Sequence, residues 1–171
     1  MMAKKEVEKR LLVGLTGWTD EHWKSKIEEI NKYNIQEIAL FFEMFRSRQR
    51  KNIIDALLKS KVKRIPFVHL RNEMRREEIK LLKEKFGTKY FSIHESTFKS
   101  MKKWNGFHKD LYVEFNADNK RPKNMNLDKI GGLCVDLSHF MIEKKLQSKE
   151  YKFIMEKKDK KKDFKCNHIN G

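Results

Sequence analysis

Short runs rich in apolar, β-branched and aromatic residues alternate along the chain with polar stretches in which apolar residues recur at helical spacing. The runs cover Leu11 to Gly17, Glu37 to Glu43, Arg64 to Leu70, Lys89 to His94, Leu111 to Asn116, Leu133 to Leu137 and Phe164 to Ile169, which predicts seven strands. Between them, Trp23, Ile27 and Ile30 share one helical face after a cap at Thr19 or Asp20. Ile53, Ile54, Leu57 and Leu58 mark a second helix, and Ile79, Leu82 and Phe86 a third. Phe98 to Phe107 allows one short helix, and Ala117 to Gly132, with Arg121-Pro122, reads as loop with coiling confined to Leu127 to Ile130. Ile142 to Lys158 is the last helix. Crossover helices force their flanking strands parallel, so the pattern is a repeated βα unit.

Strand parity narrows the architecture, because side chains two apart share a face. Tyr90, Ser92 and His94 fall on one side and Phe91 and Ile93 on the other; Tyr112 and Glu114 oppose Leu111, Val113 and Phe115. Polar-in and apolar-out is what a barrel with an outer helical ring requires. The expected fold is α/β, a TIM-type (β/α) barrel of about seven parallel strands with outer helices. It reads as a single partial domain over residues 1 to 171. A complete eight-fold barrel takes about 250 residues, so the barrel is expected to be incomplete, ending before an eighth strand. The seventh run fits least well, since Lys165 and Asn167 take the outward positions. Open edges at the first and seventh runs would invite a second copy to cover them.

Charge changes the picture only in part. Lys and Arg total 40 against 24 Asp and Glu, a net charge of +16, which attracts nucleic acid, anionic membrane or phosphorylated substrates. Lysines at 24, 26, 59, 61, 80, 83 and 85 are spread through the predicted helices, as solvated faces would have them. The densest run, Lys157 to Lys162, sits between a helix and the last strand, where a charged loop is ordinarily just exposed. Neither a signal peptide nor a membrane span is expected, which makes a reducing cytoplasm the default. Two cysteines cannot make a disulfide framework, and Cys134 and Cys166 lack zinc-finger spacing. Each lies two residues before a candidate ligand, so parity makes them core thiols rather than ligands.

The chemistry lies at the strand ends. His69, His94, Glu114, Asp136, His139 and His168 fall at or just beyond the ends of successive runs, where a parallel barrel delivers side chains to one face. Glu114, Asp136 and His168 form a mixed oxygen and nitrogen set suited to Mn, Mg, Co or Zn. His139 follows Asp136 by three residues and is placed to ligate or to meet substrate. His69 and His94 end the third and fourth runs and with Glu114 could close on an ion of their own. Singly, each histidine is more often structural, and an acid at a strand end often caps the next helix; six coincidences shift the balance. Glu43, Trp18 and Arg71 also follow strand ends, where Arg71 could clamp a phosphate and Trp18 wall a sugar face, although capping and packing explain them equally well.

These residues carry a resemblance. Cys134-Val135-Asp136-Leu137-Ser138-His139 is similar to the Asp-x-x-His strand of the xylose isomerase-like barrel superfamily, and Asn167-His168-Ile169-Asn170-Gly171 to its following His-containing strand. Phe67-Val68-His69-Leu70, Ser92-Ile93-His94 and Tyr112-Val113-Glu114 arrive in the expected order. That superfamily holds sugar-phosphate isomerases and epimerases together with endonuclease IV-type apurinic enzymes. In the isomerase and epimerase members the resemblance implies that Glu114, Asp136 and His168 bind a divalent metal, His139 contacts substrate, and Glu114 moves a proton beside a metal-polarised carbonyl of a sugar or sugar phosphate. Their eighth-strand glutamate has no match here, which puts turnover in doubt. In the endonuclease-like members His69, His94 and Glu114 would hold one zinc, Asp136 and His168 part of a second and His139 part of a third, with DNA as partner. A non-catalytic metal-binding remnant is the third reading.

Overall fold

The computed structural model describes residues 11–120, 125–160 and 163–169. Among them the seven predicted runs are all strands: β1 (Val13–Leu15), β2 (Glu37–Phe41), β3 (Arg64–His69), β4 (Tyr90–His94), β5 (Leu111–Glu114), β6 (Gly132–Asp136) and β7 (Phe164–His168). Six of them are one to four residues shorter than their apolar runs, because flanking apolar residues such as Leu70 and Phe115 stay buried after the ladder ends, and β6 has the predicted length but starts one residue earlier. The chain is α/β and divides into two compact units, one of Met1–Arg71 with Leu81–Thr88, the other of Asn72–Lys80 with Lys89–Gly171. No helix is long and apolar enough to cross a membrane among the described residues.

In the first unit β1, β2 and β3 pair in parallel, with Leu15 opposite Leu40 and Phe41 opposite His69. Helix α1 (Asp20–Lys32) starts where the Thr19 hydroxyl accepts from the His22 N–H, and Asp20 and Glu21 lie at its positive end. Trp23, Ile27 and Ile30, three positions of one face, are buried as their spacing predicts. Helix α2 (Ser47–Leu58) buries Ile53, Ile54 and Leu57, and its Arg50 is also inside, the guanidinium donating to the Phe45 carbonyl at 2.9 Å. That bond lets a cation sit among apolar neighbours.

Helix α3 (Arg76–Phe86) begins in the second unit, where Arg76 Nε donates to the Asn105 carbonyl at 2.9 Å and its guanidinium lies over the Phe107 ring. Nearby, Trp104 is fully buried with its indole N–H on the Met74 carbonyl at 2.9 Å. The short helix allowed at Phe98 to Phe107 is a 3₁₀ helix from Glu95 to Trp104, and the coil near Leu127 is a 3₁₀ turn of Leu127–Lys129. Strands β4 to β7 pair in parallel in chain order. Lys165 and Asn167 are exposed, as parity requires, with Cys166 buried between them.

The last helix differs from expectation. Ile142 to Lys158 is two helices, α4 (Leu137–Leu146) and α5 (Lys149–Lys157), and the first starts five residues earlier than predicted. Gln147 ends α4 in the left-handed region at φ 48°, and Ser148 caps α5 by accepting from the Tyr151 N–H at 3.0 Å. The early start escaped the pattern because Leu137, Met141, Ile142 and Leu146 are all exposed, so α4 has no buried apolar stripe to read.

The junction of α4 and α5 buries two carboxyls, Glu143 and Glu150, each about 1% exposed, and the Ser148 hydroxyl donates to Glu143. Burial, with Glu150 alongside, holds the Glu143 carboxyl above its usual 4.5. The folded chain therefore keeps a proton that the unfolded chain releases, and stability falls as pH rises from 4.5 through the folded value. Glu143→Gln retains an oxygen to accept from Ser148. It is expected to raise unfolding free energy at neutral pH by on the order of 1 kcal/mol and to change little below pH 4.5. Urea unfolding at the two pH values checks this; a variant less stable at neutral pH would show that the carboxylate is favourable there.

Candidate metal centre

Strand register in the second unit sorts the polar side chains into rows. His94 pairs with Glu114 across β4 and β5, Cys134 with Cys166 and Asp136 with His168 across β6 and β7. Between β5 and β6, Tyr112 is opposite Gly132 and Val113 opposite Leu133, a register that, continued, sets Glu114 level with Cys134. Two rows follow, Glu114 with Cys134 and Cys166, and above them Asp136 with His168. Glu114, Asp136 and His168 end their strands, where side chains of a parallel sheet meet ligands, and the two cysteines sit one layer deeper.

Asp136 does two things with its two oxygens. Oδ1 accepts from the Ser138 N–H at 2.8 Å, the Ser138 hydroxyl at 2.6 Å and the His139 N–H at 3.0 Å, which caps α4. Oδ2 is 3.1 Å from His168 Nδ1. The helix cap thus fixes the rotamer that turns the second oxygen to the site. Glu114, about 2% exposed, places Oε1 3.6 Å from the same His168 nitrogen. An imidazole nitrogen between two carboxylates is a spacing that a proton or a metal cation satisfies.

His139 is oriented from behind. Its Nδ1 is 2.9 Å from the Phe115 carbonyl, so the ring donates there and Nε2 carries the lone pair. Glu114, Asp136 and His139 offer ligand atoms within 4.8 Å of one another, a group that could hold a metal ion. The donor set is hard oxygen with borderline nitrogen, which fits Mn, Mg, Co or Zn.

Beneath lie the two thiols. Cys134 and Cys166 are buried and reduced, as core thiols should be. Contact with the Cys166 thiol, followed by burial and the nearby Glu114 carboxylate, pushes the Cys134 thiol well above its usual 9.0. Burial likewise raises the Tyr112 phenol, whose ring meets Tyr90 edge-on at 5.5 Å.

The chain matches no protein-family model, no curated protein and no solved structure. The site is therefore read from its own geometry.

That geometry gathers Glu114, Asp136, His139 and His168, the four residues predicted at the ends of β5, β6 and β7 or just beyond. His94 ends β4 beside Glu114 in register. In the first unit His69 ends β3, buried and stacked on Phe41 at 6.2 Å. Glu43 and Arg71 meet there through a guanidinium bond to the Glu43 carbonyl at 3.1 Å, which leaves Arg71 tied to backbone. Trp18 is 69% exposed just past β1, its backbone N–H donating to His22 Nδ1 at 3.3 Å. Sequence reasoning missed Ser138, whose hydroxyl steadies Asp136, although Asp-x-Ser before a helix is a capping signal. It also missed Glu95, a buried carboxyl that accepts from Asn116 at 3.1 Å and is raised above 4.5 by burial. No periodicity marks Glu95, because it opens a 3₁₀ helix directly after β4.

Proposed function

We propose that this chain is a divalent-metal-dependent isomerase or epimerase of the TIM-type barrel kind, acting on a sugar or sugar phosphate. The observation that carries the reading is the convergence of Glu114, Asp136, His139 and His168 at the carboxyl ends of three adjacent parallel strands. Glu114, Asp136 and His168 would hold the ion, which when bound supplies Lewis-acid polarisation of a carbonyl. Glu114 is the proton-carrying group, a buried carboxylate at the end of β5 with Oε1 3.6 Å from His168 Nδ1. His139, held by the Phe115 carbonyl, presents Nε2 to a substrate hydroxyl.

Glu114→Gln keeps the shape and removes the base. Incubating the chain with divalent metal and a panel of aldose and ketose phosphates in deuterated water, and following exchange of carbon-bound hydrogen by NMR, tests the assignment. The wild type is expected to exchange, and Glu114→Gln to slow exchange by about a hundredfold or more. Exchange unaffected by the substitution would remove Glu114 from the role. The net charge of +16 favours a second reading, a phosphodiesterase that acts on abasic DNA through clustered zinc. Indifference to abasic duplex DNA at low salt would remove that one.

A further inference from the structure

The row below Asp136 and His168 is chemically odd for a core. Cys134 and Cys166 are direct register partners on β6 and β7, both buried, and the β5 register continues the row to Glu114. The register places the Cys134 thiol between the Cys166 thiol and the Glu114 carboxylate on one face of the sheet. Packing alone would fill such a row with Val or Ala; a carboxylate beside two sulfurs adds a desolvation cost that hydrogen bonds or a cation must offset.

We propose that Cys134, Cys166 and Glu114 form the floor of the metal site and make it selective for a thiophilic divalent ion, zinc or cadmium, over magnesium or manganese. This rests on the reading that the Glu114, Asp136 and His168 site holds a divalent metal, and it names which one. Two sulfurs bound to one tetrahedral zinc at about 2.3 Å each stand about 3.8 Å apart, and Cys134 and Cys166 are the register partners from which such a pair would be drawn. Neighbouring parallel strands lie about 4.8 Å apart, so partners at equal register on one face need only a rotamer adjustment to close to that separation. The row supplies three donors of a tetrahedral set, and His168 Nδ1, 3.6 Å from the Glu114 carboxylate, supplies an imidazole nitrogen beside it. On binding, each thiol gives its proton to solvent as the sulfur to metal bond forms, so one divalent ion replaces two protons and nothing is oxidised or reduced. Mg and Mn, which prefer oxygen, gain nothing from the two sulfurs.

Cobalt(II) reports the ligands directly, because a bound thiolate gives an ultraviolet charge-transfer band that oxygen and nitrogen donors do not. The full chain is titrated with cobalt(II) under reducing conditions, with retained cobalt measured by equilibrium dialysis in parallel. The expected result is one cobalt per chain with the thiolate band. In the Cys134→Ser/Cys166→Ser double variant that band is expected to vanish while cobalt is still retained, and zinc affinity to fall by roughly ten- to a hundredfold with manganese affinity unchanged. The wild-type spectrum decides the matter even if the double variant does not fold. Cobalt retained by the wild type without a thiolate band overturns the proposal and leaves the oxygen and nitrogen site standing. No retained cobalt at all overturns both.

Discussion

Asp136→Asn is expected to leave the chain about as stable as the wild type while lowering its divalent-metal affinity by tenfold or more, whereas Asp136→Ala loses both. The separation follows from the division of work between the two oxygens. Oδ1 takes three hydrogen bonds from Ser138 and His139 and caps α4; Oδ2 faces His168 at 3.1 Å. Asparagine caps a helix as well as aspartate does, so the Asn variant keeps Oδ1 and its partners and presents an amide N–H₂ to the site. Alanine removes the cap too, at about 1 kcal/mol. Urea unfolding and metal dialysis on the two variants read the two roles independently. Asn and Ala variants with equal, wild-type metal content would reduce Asp136 to a helix cap.

Gly132→Ala should cost the most stability of any single methyl added to the second unit, about 3 to 5 kcal/mol. Gly132 opens β6 at φ +144°, which L side chains rarely adopt, and a Cβ there would stand 2.3 Å from the Asp163 carbonyl oxygen. That oxygen is backbone at the entry to β7, one residue before Phe164 pairs with Leu133. It cannot step aside without moving β7, and β7 carries Cys166 and His168. Loss of stability should therefore come with loss of hydrogen-exchange protection in β7 and with weakened metal binding. Gly87→Ala is the control: φ is +64° but no atom lies within 4 Å, so only the conformational cost of about 1 kcal/mol remains. A Gly132 variant no worse than the Gly87 variant would mean that the approach of Asp163 is not a constraint.

How much of this was legible in the sequence depends on what carried each signal. The strands were, because an apolar run bounded by polar helix is a local pattern, and parity within β7 correctly left Lys165 and Asn167 outside. The three helices with buried stripes were, since Trp23, Ile27 and Ile30 must share a face if they are to be buried at all. Helix α4 was not, because its start is set by a side-chain cap and its apolar residues face solvent. Glu143 and Glu150 gave no sign of burial either; in a lysine-rich segment two acids read as a solvated face, and only the packing of α4 on α5 encloses them. At the site, residue type and strand position picked out Glu114, Asp136, His139 and His168, but not which oxygen of Asp136 does what. The register across β5, β6 and β7 is non-local, and it alone puts the two cysteines level with Glu114.

The exposed lysine of β7 has a consequence for folding fidelity. A strand that slips by one residue sends every side chain to the opposite face. For β7 that error would withdraw Cys166 and His168 and thrust Lys165 and Asn167 among Glu114, Cys134 and Asp136. Burying an ammonium and an amide in place of a thiol and an imidazole is costly, and β7 is short enough that nothing else in it would compensate. Lys165 thus acts as a proofreader, and the alternation that hands the site its imidazole is the same one that makes the misregistered strand discard itself.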